Sequence, residues 1–337
     1  MKIATWVKGE RHQAALPHHE AGTTRLADGR EIGWASYGDP TGDLVMWFPG
    51  TPGARAQVPA DLADEAVGRR LRIVLVERPG TGHSTPHTYA DLAEAATDYL
   101  AVADDLGAEQ FALIGLSGGG PFVLSVAHAA PNRVTSAVVI GGVGPTRGAD
   151  AIISYTLGLI PLASVLERIR DPLASGLGVA IRTLGPWGRP FLNLFFVAQY
   201  GDRRAMNDNP AHKSQMLFDL VDAAHRAGVG APVDDLILFG RPWGFELNRV
   251  KVPVTFWGSS DDWIVPYRHA ERQSKRVPNG RLRTVAKRGH FAGYTEVGQV
   301  LDAIREDWPM LRAVQQPAKP QRAGSQRTGA RRARPAG

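Results

Sequence analysis

Residues 115–120 read Gly-Leu-Ser-Gly-Gly-Gly, a serine surrounded by glycines. The stretch follows a short apolar run, Phe111–Ile114, and precedes an apolar helical pattern that begins at Pro121. It fits neither glycine-rich nucleotide motif, because serine stands where GxGxxG needs its second glycine and no Gly-Lys-Ser/Thr follows. It does match Gly-x-Ser-x-Gly, in which a sharp strand-to-helix turn exposes a serine hydroxyl. The stretch therefore predicts a nucleophilic Ser117 on a strand-turn-helix unit.

Short apolar runs alternate with helical patterns along much of the chain. Runs typical of buried strands occur at Leu44–Phe48, Leu71–Glu77, Phe111–Gly115, Val134–Ile140, Val252–Trp257 and Leu282–Ala286. Helical spacing of apolar residues occurs at Asp91–Leu106, Pro121–Ala130 and Val297–Trp308. Thr23–Asp39 reads as a hairpin that turns at Asp28-Gly29. This alternation predicts an α/β fold with a doubly wound, mostly parallel sheet.

The alternation stops between residues 145 and 249, where apolar helical stretches are interrupted by Pro and Gly. We interpret 23–144 and 250–312 as the α/β core and 145–249 as a helical cap or lid inserted into it. Residues 1–22 lack periodicity and are predicted to be irregular. Residues 313–337 are rich in Pro, Gly, Gln and Arg, which predicts a disordered basic tail.

The charge of the chain does not predict a nucleic-acid partner. The net charge is +6 over 337 residues, but six of the 39 basic residues lie in the last 21 positions, which hold no acid. The rest of the chain has 33 basic and 33 acidic residues and is formally neutral. Cysteine is absent, which excludes disulfides, thiolate catalysis and Cys-type zinc sites. With no bilayer-spanning apolar run and no apolar signal region, we expect a cytoplasmic protein without a transmembrane segment.

A serine hydroxyl needs a general base, and His290 is the candidate. It lies in the sequence KRGHFAG, directly after the predicted strand Leu282–Ala286. Open α/β sheets place their chemistry at the carboxyl ends of their strands. The other histidines lack this position, and His18-His19-Glu20 lacks the spacing of a metal site, so no metal or cofactor is predicted.

The imidazole in turn needs a carboxylate that orients it and stabilises its charged form. The sequence WGSSDDWIVP offers Asp261 and Asp262 after the strand Val252–Trp257. Counting forward from Gly258 selects Asp261, whereas counting back from the Val-Pro pair selects Asp262. The Val-Pro pair anchors the far end of the loop and favours Asp262, with Asp261 as the alternative. The order serine, aspartate, histidine is the order found with a Gly-x-Ser-x-Gly elbow.

With these residues the chain resembles the α/β-hydrolase fold superfamily, specifically its lidded serine hydrolases. These include esterases, proline iminopeptidases and non-metal haloperoxidases, and the resemblance covers about residues 23–312. Two further motifs carry it. Pro49–Gly53, PGTPG, is similar to the family's His-Gly-x-Pro-Gly loop, and Glu77–Ser84, ERPGTGHS, to its Asp-Arg-Pro-Gly-x-Gly-x-Ser loop.

The resemblance implies a catalytic triad of Ser117, Asp262 and His290 that forms an acyl-enzyme and hydrolyses it. It also implies an oxyanion hole made by the backbone N–H groups of Thr51 and Gly118. Pro49 departs from the family pattern, because it replaces a histidine that normally braces the oxyanion loop.

The expected partner is a small, fairly hydrophobic ester or amide, since Leu116 and the insertion are apolar. A proline-type aminopeptidase is an alternative, which would need insertion carboxylates to hold a free amine. Such acids usually form solvated helix faces; those available are Glu167, Asp202, Asp208, Asp219, Asp234 and Asp235. A catalytically inactive α/β-hydrolase fold that binds a ligand is the alternative of another class, suggested by Pro49.

Overall fold

A computed structural model describes residues 19–152, 165–172, 200–227 and 230–315. Most of the predicted N-terminal segment and all but three residues of the predicted basic tail therefore lie outside the described residues. Within the described part, the chain forms one mixed sheet with helices on both faces.

The sheet has eight strands in the described residues, and its centre is parallel. The strands are β1 (Glu20–Arg25), β2 (Glu31–Gly38), β3 (Asp43–Phe48), β4 (Leu71–Val76), β5 (Phe111–Leu116), β6 (Val134–Ile140), β7 (Val254–Ser259) and β8 (Gly280–Val285). Their order is β1-β2-β4-β3-β5-β6-β7-β8. The β1–β2 and β2–β4 pairs are antiparallel, and all other neighbours are parallel. The predicted doubly wound, mostly parallel sheet is confirmed.

Helices cover both faces of this sheet. The helices of the described residues include α1 (Leu62–Gly68), α2 (Leu92–Asp105), α3 (Gly120–Ala129), α4 (Tyr200–Asp208), α5 (Pro210–Ala227), α6 (Gly230–Gly240), α7 (Arg268–Arg276) and α8 (Val297–Gln315). Apolar side chains of α2 and α3 pack into one core cluster with one face of the sheet. Those of α1 and α8 pack into a second cluster on the opposite face. Because both faces are covered, the central strands β3, β5 and β6 are almost wholly buried.

The observed boundaries correct the sequence predictions at both ends of the core. Strand β1 begins at Glu20, inside the segment 1–22 that was predicted to be irregular. It pairs along its full length with β2, which supplies hydrogen bonds that local periodicity does not reveal. Helix α8 continues through Gln315, three residues into the segment 313–337 that was predicted to be a disordered tail.

The described part of the segment between β6 and β7 contains several helices and no strand. It contains α4, α5, α6 and a short helical stretch at residues 165–172. We refer to residues 145–249 as the insertion. None of the helices in the described ranges is long and apolar enough to cross a membrane.

Glycine makes the turn between β5 and α3 possible, because this turn runs against the end of β3. A Cβ atom on Gly119 would overlap the carbonyl oxygen of Phe48, and one on Gly118 would overlap the Thr51 side chain. The Phe48 carbonyl belongs to the main chain, so it cannot rotate out of the way as a side chain could. Only glycine at these positions allows β5 and α3 to approach the loop after β3 so closely.

We expect Gly119→Ala to destabilise the protein by about 1–3 kcal/mol, the usual cost of overpacking. The measurement is the free energy of unfolding from urea titrations. Gly68→Ala is the matched control, because a Cβ atom there has open space around it. That change should be neutral or stabilise by up to about 1 kcal/mol, since Gly68 ends helix α1. Equal unfolding midpoints for the two variants would contradict the packing argument.

Candidate active site

Ser117 lies at the tip of the turn between β5 and α3, in an unusual backbone conformation. Its φ angle is +52°, a left-handed value that non-glycine residues rarely adopt. It begins a single 3₁₀ turn, Ser117–Gly119, which leads into α3 with Pro121 in the first helical turn. Ser117 is half-buried, whereas the residues on either side of it are buried. The turn therefore presents the serine, and only the serine, at the carboxyl edge of the sheet.

His290 and Asp262 form a buried pair at the same edge. The Nδ1 atom of His290 lies 2.7 Å from Oδ2 of Asp262. The side chains are only 3% and 1% exposed. The other carboxylate oxygen, Oδ1, accepts hydrogen bonds from the backbone N–H groups of Ile264 and Val265, each at 2.9 Å. An ionised carboxylate only accepts hydrogen bonds, so Nδ1 carries the proton and Nε2 has the free lone pair.

Asp261, the alternative acid, points elsewhere. Its Oδ1 accepts a hydrogen bond from the Ser259 hydroxyl at 2.6 Å and one from the Gly289 backbone N–H at 3.3 Å. Asp261 therefore hydrogen-bonds the backbone next to His290 and not the imidazole itself. The structure brings His290 together with Asp262, the residue that the Val-Pro anchor favours.

The pKa of His290 is raised above its ordinary value of 6.5. Burial of the ring is the largest effect and acts to lower it, because a charged imidazole loses hydration. The charge and hydrogen bond of Asp262, together with the charge of Asp202, outweigh burial. The imidazole is therefore a stronger base than a free histidine.

The turn after β6 connects the serine with the histidine. Gly141, with a φ of +53°, packs so close to the His290 ring that a Cβ atom would lie 3.1 Å from two of its atoms. Two residues later, the Val143 N–H donates to the carbonyl oxygen of Ser117 at 3.3 Å. The ends of β5 and β6 thus hold Ser117 and the His290 ring next to the same three-residue turn.

The loop Pro49–Gly53 lies directly beside Ser117. A Cβ atom on Gly50 would lie 3.5 Å from that of Ser117. The Gly50 N–H donates to Oε1 of Gln57 at 2.5 Å, and Nε2 of Gln57 donates to the Pro52 carbonyl at 2.9 Å. The Gln57 side chain therefore holds both ends of this loop segment, a contact that sequence reasoning missed.

The buried Arg78 side chain also hydrogen-bonds this loop. Its guanidinium donates to the carbonyl oxygens of Pro49, at 2.5 Å, and Gly50, at 2.6 Å. The residue is 1% exposed, and its charge is paired with Asp235 of helix α6, which accepts from Nε at 2.8 Å. The same oxygen of Asp235 accepts from the Thr51 hydroxyl at 2.6 Å. Arg78 and Asp235 therefore hold this loop in place without the histidine that Pro49 replaces.

Three insertion aspartates are buried against loops of the core, so the prediction that these acids form solvated faces is wrong for them. Asp202 of α4 accepts from the Phe291 N–H, and Asp219 of α5 accepts from the N–H groups of Ala54 and Ala56. Asp235 of α6 is the third. Periodicity cannot distinguish a buried acid from a solvated one, because the partners lie about 90 to 180 residues away in the sequence.

The other three acids form ion pairs within the insertion. Glu167 pairs with Arg241, Asp234 with Arg170 at 2.6 Å, and Asp208 with Arg204 at 3.8 Å. None of the six carboxylates predicted as possible amine ligands is therefore without a partner. Over the described ranges, no group of three or more His, Asp or Glu side chains has the arrangement of a metal site.

Sequence comparison relates the chain to a known protein family and to individual proteins. The family model described as the alpha/beta hydrolase fold matches residues 43–297. A candidate carbamate hydrolase, RutD, of Caulobacter sp. is 34% identical over 68% of this chain and 77% of its own. A 1-acylglycerol-3-phosphate O-acyltransferase of Arabidopsis thaliana is 25% identical over 67% of this chain. The matched region spans 57% of that longer relative.

Solved structures show the same fold. The esterase RhEst1 of Rhodococcus sp. superposes with a TM-score of 0.62 at 21% identity, covering 86% of this chain and 99% of its own. At that identity the match concerns the fold alone. The family match extends over more than half of the chain, from β3 to the start of α8. The chain therefore belongs to the alpha/beta hydrolase fold family, and the predicted class of enzyme, a hydrolase, is confirmed.

Proposed function

We propose that this protein hydrolyses a carboxylic ester of a small, fairly hydrophobic substrate through an acyl-enzyme on Ser117. The observation that carries the proposal is the buried His290–Asp262 pair, 2.7 Å between Nδ1 and Oδ2, at the sheet edge that presents Ser117. An amide or other related acyl bond fits the same chemistry. The insertion would act as a cap over this edge.

In the acylation step, the Ser117 hydroxyl attacks the ester carbonyl while Nε2 of His290 takes its proton. Asp262 stabilises the imidazolium that forms. The tetrahedral intermediate then expels the alcohol, which leaves with the proton returned from Nε2. The remaining acyl group is bound to the Ser117 oxygen.

In the deacylation step, a water molecule attacks the acyl-enzyme and gives one proton to Nε2 of His290. Collapse of the second tetrahedral intermediate breaks the acyl–oxygen bond to Ser117. The imidazolium returns its proton to the serine, and the carboxylic acid leaves. The net reaction consumes one water and forms one acid and one alcohol.

The negative oxygen of each intermediate needs hydrogen-bond donors that are already in place. We propose the backbone N–H groups of Thr51 and Gly118 for this role. Two observations support this assignment. Gly118 packs against Thr51, and hydrogen bonds with Arg78, Gln57 and Asp235 fix the loop. Removing one such donor typically costs about 10²–10³-fold in rate.

The two alternatives have less support. The insertion carboxylates that an aminopeptidase would need for a free amine are engaged with the core or with arginines. The inactive-fold alternative rests on the loss of the loop histidine at Pro49. The Arg78 guanidinium, which binds the carbonyl oxygens of Pro49 and Gly50, weakens that argument. One sequence relative is named a candidate carbamate hydrolase, and one structural neighbour is named an esterase.

We expect Ser117→Ala to reduce hydrolysis of a p-nitrophenyl butyrate probe by at least about 10³-fold. A fluorophosphonate should add its mass to the wild-type protein and not to the variant. Ser274→Ala is the control, because the Ser274 hydroxyl bonds the Glu271 carbonyl within α7. That variant should react normally. Wild-type protein that is folded yet neither labelled nor active on esters or amides would refute the proposal.

The paired substitutions Asp262→Asn and Asp261→Asn test the choice of triad acid. Asp262→Asn should lower kcat by about 10⁴-fold, because an amide leaves the imidazole in the wrong tautomer. Asp261→Asn should change kcat by less than about tenfold, because Asp261 hydrogen-bonds Ser259 and Gly289 rather than the imidazole. Equal losses, or a larger loss for Asp261→Asn, would contradict the assignment.

The acid limb of the pH–rate profile should lie above pH 6.5. His290 must be neutral to act as a base, and its pKa is raised above that value. Activity should therefore fall as the pH drops through a midpoint higher than 6.5. The measurement is kcat/KM for the butyrate probe between pH 5 and 9, and a midpoint below 6.5 would contradict it.

Asp235→Ala should destabilise the protein by about 3–5 kcal/mol, because it leaves the Arg78 charge buried without its partner. Asp234→Ala is the control at the neighbouring position. It breaks a partly exposed pair with Arg170 and should cost at most about 1 kcal/mol. Urea titrations of both variants measure the difference, and similar midpoints would show that the Arg78–Asp235 pair is not required.

A further inference from the structure

Helix α4 of the insertion begins directly against the loop that carries His290. A Cβ atom on Gly201 would overlap the Gly289 backbone nitrogen, and one on Gly289 would overlap the Asp202 carboxylate. Gly289 also has a φ of +67°, which favours glycine. These two glycines therefore allow the backbone of helix α4 and that of the His290 loop to come into direct contact.

Asp202 uses this contact to reach the His290 loop. Its Oδ1 accepts the backbone N–H of Phe291 at 3.1 Å, and the residue is 1% exposed. Its second oxygen, Oδ2, is buried and has no hydrogen-bond partner among the described residues. A buried carboxylate with an unused acceptor is expensive, so its presence requires an explanation.

The charges around Asp202 provide that explanation. The charge of His290 attracts the negative charge of Asp202, and that of Asp262 repels it. The backbone N–H groups of Phe291 and His290 also favour the charged form. Asp261 lies beside Gly201 at the same contact. Burial, the largest effect, raises the pKa of Asp202 to about 6, and the charge of His290 acts to lower it. In return, Asp202 adds to the charge that favours protonated His290.

We propose that Asp202 is a positioning residue for the reaction, which ties the insertion to the His290 loop and places a second carboxylate charge beside the imidazole. The inference rests on the proposed function, because it assumes that His290 is the general base. The imidazolium that forms in each step then has two negative neighbours, Asp262 from the core and Asp202 from the insertion. The insertion thereby contributes to base strength as well as to covering the site.

The test compares Asp202→Asn and the smaller Asp202→Ser with wild type. Removal of the charge should lower the pKa of His290, so the acid limb of kcat/KM should move to lower pH. At pH 8 the loss of this charge should lower kcat by at most about tenfold, because it weakens the base without removing it. Asp208→Asn is the control on the same helix, because Asp208 is half-exposed and pairs only loosely with Arg204. It should leave the limb unchanged.

Stability provides a second readout with a defined sign. The pKa of Asp202 is about 6 in the folded protein and about 3.8 when unfolded, so the folded state binds more protons between those values. Ionisation of Asp202 therefore costs stability as the pH rises from about 4 to about 6. Asp202→Asn lacks this cost and should gain Tm relative to wild type as the pH rises through this window. A Tm difference between Asp202→Asn and wild type that stays constant across this window would contradict the raised pKa of Asp202.

A direct NMR titration of the His290 ring separates this inference from the proposed function. It reports the pKa of His290 whether or not any ester is cleaved. A lower His290 pKa in either Asp202 variant, with no change in Asp208→Asn, supports the inference. An unchanged His290 pKa in a folded variant overturns it even if the wild type is an active esterase. If the fluorophosphonate does not label the wild-type protein, that result would instead refute the proposed function alone.

Discussion

The chain has to turn from β5 into α3 at Ser117, and it makes this turn while in contact with the loop after β3. The serine adopts a left-handed φ of +52°, and the two glycines that follow leave room for the Phe48 carbonyl and the Thr51 side chain. This close approach determines where the serine, the neighbouring loop and the start of α3 lie relative to one another. The remaining parts of the site are arranged around that fixed turn.

A buried positive charge imposes the second constraint. Arg78 is enclosed by the core, so its guanidinium must find acceptors within the protein. Two are carbonyl oxygens of the loop beside Ser117, and the third is the Asp235 carboxylate from the insertion. The pair that neutralises the charge therefore also orders the loop, and this explains how proline is accommodated at position 49.

The sequence predicts the parts of this site that depend on local order along the chain. The elbow follows from Gly-x-Ser-x-Gly between a strand and a helix, and His290 follows from its place after the last strand. The roles of Asp202, Asp219 and Asp235 do not follow, because each depends on a backbone or side-chain partner far away in the sequence. The start of β1 was missed for the same reason, since its pairing with β2, not its periodicity, defines it.

The three insertion aspartates also bear on how this hydrolase could be re-engineered. Sheet pairing between β6 and β7 does not involve the insertion, so the fold would accept a different segment at this point. A transplanted segment would nevertheless leave Arg78 unpaired and the N–H groups of Ala54, Ala56 and Phe291 without their acceptors. A functional chimera would thus have to carry all three carboxylates, each placed where it can accept hydrogen bonds from its own core loop. The insertion is exchangeable as a unit only together with these anchoring residues.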